Sequence, residues 1–205
     1  CCFGIMLVAC NTEPNGTNPP ITGGDAETPE IPEQPTGNHV LIVYFTAEYC
    51  NTERIANYIH SKIGGDIVKI EAAQPYTSQD LNYSIPNNRP EVEKAENARP
   101  EIAQTTYDQI DISKYDTVFI GYPIWWWTAP MIIGTFLEHY DLSGIHVYPF
   151  AQSASMNKDH FDTSMEFVRS CAGDAIVHDG LFTKTNSVID EYLDGIEFSA
   201  GFNLA

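Results

Sequence analysis

Two uncharged apolar runs organise this chain. Val40-Leu41-Ile42-Val43-Tyr44-Phe45 and Thr117-Val118-Phe119-Ile120-Gly121-Tyr122 are rich in β-branched and aromatic residues. That is the pattern of strands buried on both faces of a parallel sheet. Between them the period changes. Residues 51–63 place Ile55, Ala56, Ile59 and Ile63 at helical spacing before Gly64-Gly65 stops the helix. Ile67 to Ile70 sets Ile and Val among Asp and Lys, as an edge strand would. A long connection over 71–114, rich in Pro, Asn and Tyr, carries a short helical stretch near 90–98. The spacing predicts later helices over 130–140, 158–171 and 187–196, a fourth strand over 146–151 and a fifth starting at Ala175 to Val177.

Strands alternating with helices imply a parallel sheet covered on both faces. Five such units predict an α/β doubly wound three-layer sandwich, its five-stranded sheet in the order 2-1-3-4-5. In that order the switch point lies between strands one and three, so the loops after Phe45 and Tyr122 share one crevice.

Composition changes the picture at the N-terminus. The first ten residues are apolar, without an initiator Met or a basic stretch, and resemble the end of a signal-peptide core. Leu7-Val8-Ala9-Cys10 resembles a bacterial lipobox, whose Cys becomes the lipidated N-terminus. Residues 11–38 contain six prolines, five acidic residues and no Lys or Arg, the composition of a disordered, self-repelling linker. The expected organisation is a signal remnant over 1–10, the linker over 11–38, a globular domain over 39–198 and a short tail over 199–205. The expected location is the bacterial cell envelope, after export, with the membrane reached through lipid on Cys10.

Ten basic against 28 acidic residues give a formal charge of −18, which excludes nucleic acid as a ligand because phosphates need a basic surface. A protein partner should present basic patches. The cysteines at 1, 2, 10, 50 and 171 form no C-x-x-C pair and no zinc spacing.

Candidate chemistry gathers at the crevice. Gly121-Tyr122-Pro123-Ile124-Trp125-Trp126-Trp127 ends a central strand with three indoles, in a connection that looks too short to bury all of them. Flat side chains there suit a flat aromatic ligand through stacking; an indole taken singly suits the core as well. The first loop, Thr46-Ala47-Glu48-Tyr49-Cys50-Asn51-Thr52, offers hydroxyls, an amide and helix N-terminal N–H groups to an anion. Arg54, in the first helical turn, could add its charge to that site. Plain helix capping by Asn51 or Thr52 explains the same residues. Cys50 reads as a small loop filler, and His160, after the third loop, could approach the edge of a ligand.

From residue 39 to 197 the chain resembles the flavodoxin-like proteins, in particular a bacterial branch found as secreted or lipid-anchored forms. The resemblance rests on Tyr44-Phe45-Thr46 with Asn51-Thr52-Glu53, on Gln74-Pro75-Tyr76, and on Ala98-Arg99-Pro100-Glu101. It rests most of all on Gly121-Tyr122-Pro123-Ile124-Trp125-Trp126 with Thr128-Ala129-Pro130-Met131, supported by Thr135-Phe136-Leu137-Glu138 and Pro149-Phe150. It implies FMN as cofactor, with Thr46, Ala47, Glu48, Asn51 and Thr52 at the phosphate. Pro123, Ile124, Trp125, Trp126, Trp127, Gln152, Ser153 and Ser155 would flank the isoalloxazine ring. The first loop departs from the family pattern by one extra residue and by Cys50 in place of glycine, where a Cβ crowds close backbone approach. Two functions follow: an FMN protein passing electrons to a basic partner or reducing a small acceptor such as a quinone, or a module that has lost FMN and binds another flat ligand or a protein.

Overall fold

The computed structural model describes residues 39–47, 51–196 and 198. The expectations for Cys10, for the 11–38 linker and for Glu48 and Cys50 fall outside those residues. Strand β1 (Val40–Tyr44) leads to α1 (Thr52–Ile63) and β2 (Asp66–Lys69); the long connection holds α2 (Arg89–Ala95), α3 (Gln104–Tyr107) and a 3₁₀ turn over Ile112–Lys114. Then come β3 (Thr117–Pro123), α4 (Met131–His139), β4 (His146–Gln152) and α5 (Lys158–Cys171), followed by β5 (Ile176–Val177), β6 (Leu181–Phe182) and α6 (Asn186–Asp194).

The sheet runs β2-β1-β3-β4-β5, every pair parallel, as the strand and helix alternation predicts. The fifth position differs from expectation. It is filled by two two-residue segments, β5 and β6, which pair in turn with the start and the end of β4. The fourth strand also runs one residue further than its apolar run, because Gln152 pairs with Pro123.

Side chains alternate along β1 and divide the core. Val40, Ile42 and Tyr44 pack with Ile55, Ala56 and Ile59 of α1 and with Ile189 and Leu193 of α6. Leu41 and Val43 face the opposite layer, with Ile132, Ile133 and Phe136 of α4 and Phe161, Met165 and Val168 of α5. The connection joins this second layer through Ala72, Ile102 and Ile110. Sequence periodicity missed that contribution because these residues lie on no shared face.

At the amino end of β4, His146 Nδ1 lies 2.7 Å from His178 Nε2, and Tyr148 stacks on His178 at 4.2 Å. One ring must donate and the other accept, so the pair needs a neutral imidazole. Burial, then the charge of His146, holds His178 below the ordinary imidazole range. Since the folded pKa is lowered, the unfolded chain binds the proton first. The pair's contribution is complete above the unfolded value of about 6.5 and fades as pH falls through the folded one. The drop in melting temperature between neutral pH and about pH 5.5 should therefore shrink in His178→Phe, which keeps the stack without a proton site. An equal drop in both proteins would show that the pair does not titrate with unfolding.

Candidate functional site

Register brings three loops to the carboxyl edge of the sheet. Tyr44 pairs with Gly121, and Pro123 with Gln152. Two further bonds continue the ladder past the strands: Phe45 N donates to Gly121 O (2.8 Å) and Ile124 N to Gln152 O (3.1 Å). Thr46 and Ala47 therefore leave β1 beside the Trp-bearing loop. Tyr44, at the end of β1, is pushed up to about 12 by burial and by the Glu53 carboxylate, so it stays a neutral phenol.

The first loop enters α1 without the capping that hydroxyl and amide side chains usually supply. Asn51 is exposed and makes no side-chain cap bond. Thr52 is fully buried, and its Oγ1 has no hydrogen-bond partner among the described residues. A buried hydroxyl left unpaired costs about 1–3 kcal/mol, so it marks a place where an acceptor is wanted. Arg54 does not turn toward this loop. Its guanidinium donates to Asn186 Oδ1 (2.8 Å) and Lys184 O (2.6 Å), tying α1 to the entry of α6.

The three indoles have three different surroundings. Trp125 is buried, edge-on to Phe45 at 5.3 Å and to Tyr76 at 5.2 Å. Trp126 is also buried, with Tyr83 stacked on it at 4.0 Å. Trp127 is 48% exposed. Not all three indoles are buried, as the short connection implies; two are taken into the core because the long connection folds over them and supplies the apolar cover that the short loop lacks. Tyr76 is itself fixed: its Oη donates to Glu93 Oε2 (2.7 Å), and the Arg89 guanidinium lies 3.9 Å above its ring while bonding Glu93 Oε1 (2.6 Å). Burial and the Glu93 carboxylate hold the Tyr76 phenol far above its usual pKa.

Backbone geometry decides which indole faces out. Trp125 and Thr128 exchange N–H to O bonds, both 2.9 Å, closing a two-residue turn. Its central residues have φ of 42° at Trp126 and 66° at Trp127. Such turns favour Asn-Gly, and a left-handed L-residue costs roughly 1–2 kcal/mol. Strain of this kind is characteristic of binding loops that their surroundings hold in place. Pro123 and Ile124 are buried beneath the turn.

In the third loop Gln152 is buried, while Ser153 and Ser155 come to the surface. Ser153 Oγ accepts from Ser155 N (3.3 Å) and Met156 N (3.0 Å), so its hydroxyl shapes the loop. His160 closes a capping box with Asn157, and its ring centroid lies 6.5 Å from that of Trp127. Of the sequence-predicted residues, Thr46, Ala47 and Thr52, the Trp turn and Gln152-Ser153 thus meet at one edge. Arg99 is directed elsewhere, bonding both oxygens of Glu138 on α4. Lys94, which no motif marks, reaches the Trp turn from α2: its Nζ donates to Trp126 O (2.7 Å) and lies 5.5 Å from the Trp127 ring centroid. Trp125, Pro90, Glu93, Lys94, Thr128 and Met131 also line a pocket with room for about one water molecule.

A family model described as Flavodoxin matches residues 39–196. A solved structure from Bacteroides eggerthii, described as a flavoprotein, is 36% identical, covering 76% of this chain and 95% of its own, with a TM-score of 0.67. Another so described, from Bacteroides uniformis, is 28% identical over 77% of this chain and 99% of its own, with a TM-score of 0.68. A Lactobacillus acidophilus flavoprotein solved in complex with FMN shares the fold at 21% identity, covering 77% of this chain and 99% of its own, with a TM-score of 0.57. No curated protein matched the chain. The chain belongs to the flavodoxin family.

Proposed function

We propose that this chain binds FMN at the carboxyl edge of the sheet and serves in electron transfer or in the reduction of a small acceptor such as a quinone. The observation that carries the reading is the Thr52 hydroxyl in the first turn of α1, buried and without a partner among the described residues. A phosphate oxygen is the acceptor such a donor lacks, and the helix dipole favours its charge. Thr46, Ala47 and Asn51 would surround that end of the cofactor. Trp127, the exposed indole of the string, offers a face to the ring, whereas the Trp125 pocket is too small to admit one.

Bound FMN would supply the redox chemistry, accepting and releasing electrons at its ring. The protein's part is to stack, to anchor the phosphate and to set the electrostatics. A formal charge of −18 opposes negative charge on the reduced ring, which lowers its potential, and it would attract a basic partner protein. A second reading, a flat ligand without a phosphate, is favoured by the sequence of the first loop, which has Cys50 where the family has glycine and adds the negative charge of Glu48. Titration of the purified chain with FMN and with riboflavin, followed by flavin absorption and fluorescence, decides between them. Tighter binding of FMN supports the proposal. Equal binding favours the phosphate-free ligand, and binding of neither flavin would refute the FMN reading in favour of a module that has lost it.

A further inference from the structure

We propose that Lys94 is a positioning residue for the flavin ring, holding the left-handed Trp126–Trp127 turn so that the Trp127 indole stays presented at the crevice; this rests on the flavin reading above. Backbone bonds between Trp125 and Thr128 close the turn but leave its central peptide free to change orientation. Neither central residue is Gly or Asn, so the conformation with positive φ at both needs support from outside the turn. Tyr83 and Lys94 of the long connection supply it, and Trp126 N donates to Tyr83 Oη (3.4 Å). Tyr83 covers the Trp126 ring within 10° of parallel, and the Lys94 ammonium bonds the Trp126 carbonyl.

The Tyr83 bond acts on the peptide before Trp126, whereas the carbonyl contact acts on the central peptide itself. A stack allows sliding, whereas a 2.7 Å bond from an ammonium fixes where the carbonyl points, and with it the plane of the peptide leading to Trp127. The same ammonium lies 5.5 Å from the Trp127 ring centroid, close enough for attraction to its face. Lys94 is thus tied to both central residues of the turn. It also brings a positive charge to the ring end of the site in a chain with ten basic residues against 28 acidic ones.

Full-length Lys94→Met and Lys94→Arg are compared with the native chain by near-ultraviolet circular dichroism without ligand, and by titration with FMN and riboflavin. In Lys94→Met the indole bands should weaken, and both flavins should bind about three- to tenfold less tightly, the loss of one partly exposed charged hydrogen bond. FMN and riboflavin should lose equally, since Lys94 acts at the ring end. Lys94→Arg keeps a cationic donor and should recover both signals. A Lys94→Met chain with native indole bands and native affinity for both flavins would overturn the inference alone. So would a loss confined to FMN, which would place the ammonium at the phosphate. A native chain that binds neither flavin would overturn this role together with the flavin reading; weakened indole bands in Lys94→Met would then trace that failure to the ligand and not to the turn.

Discussion

Thr52→Val should weaken FMN binding by about ten- to a hundredfold while leaving the ligand-free protein as stable as before, or more so. Valine keeps the β-branch and the volume and removes only the hydroxyl. That hydroxyl is buried with no partner among the described residues, so its loss takes no bond from them and removes a desolvated group. If the hydroxyl meets a phosphate oxygen in the complex, its loss costs about 1.5–3 kcal/mol, because the acceptor is charged. Riboflavin has no phosphate and should bind Thr52→Val nearly as well as it binds the native chain. Trp127→Ala should weaken FMN and riboflavin alike, by on the order of 1 kcal/mol beyond the area lost. It should leave the melt nearly unchanged, since the indole is half exposed. Trp125→Ala should instead lower the melt, because that ring is packed between Phe45 and Tyr76. The four titrations separate the two ends of the site and the ligand-facing indole from the core ones. A Thr52→Val chain that is less stable without ligand would mean that the hydroxyl caps α1. Equal losses for FMN and riboflavin in that variant would remove the phosphate assignment.

The layered sheet and its order could be read from the sequence because each strand and helix announces itself by period. β1 and β3 are continuous apolar runs, α1 and α5 carry one apolar face, and right-handed crossovers leave few arrangements of such units. Leu181–Phe182 carries no such signal. A two-residue pairing is created by the free edge of β4 near Phe150 and Ala151, not by a pattern of its own. The site divides in the same way. The anion-suited loop and the Trp string were legible as chemistry at the ends of β1 and β3. Which indole faces solvent was not, because that depends on positive φ at Trp126 and Trp127, a conformation that two tryptophans do not advertise. The long connection hid most. Tyr76, Tyr83 and Lys94 reach the turn from three places in the connection and share no period, so only folding shows that together they cover it. Arg54 illustrates the opposite error: near the anion loop in sequence, it is drawn away by Asn186 and the Lys184 carbonyl, partners more than a hundred positions along the chain.

The largest effect on stability is expected at Gly121, in the strand that carries the Trp turn. Gly121 sits in β3 between Tyr44 and Phe150, and the side chains of those two neighbours lie on the α1 and α6 side of the sheet. The Phe150 ring occupies the space that a side chain at 121 would need. A Cβ built there overlaps ring atoms Cζ and Cε2 and lies 2.9 Å from Cε1. The ring cannot simply swing away. Phe150 is buried in the same cluster as Tyr44, Leu181 and Ile189, and close-packed interiors have little spare volume. Gly121→Ala should therefore cost about 1–3 kcal/mol or more, through overpacking and not through backbone conformation. Phe150→Leu alone should also destabilise, by leaving part of the ring's space empty. Combined, the two changes should cost less than their sum by about 0.5–3 kcal/mol, because the shorter side chain makes room for the new methyl. Denaturant melts of the four proteins measure this coupling. Simple additivity would mean that Gly121 and Phe150 do not share that space. Because only Tyr122 and Pro123 separate Gly121 from the end of the strand, Gly121→Ala should also weaken riboflavin more than Phe150→Leu does, as the displaced strand end moves the turn that presents Trp127.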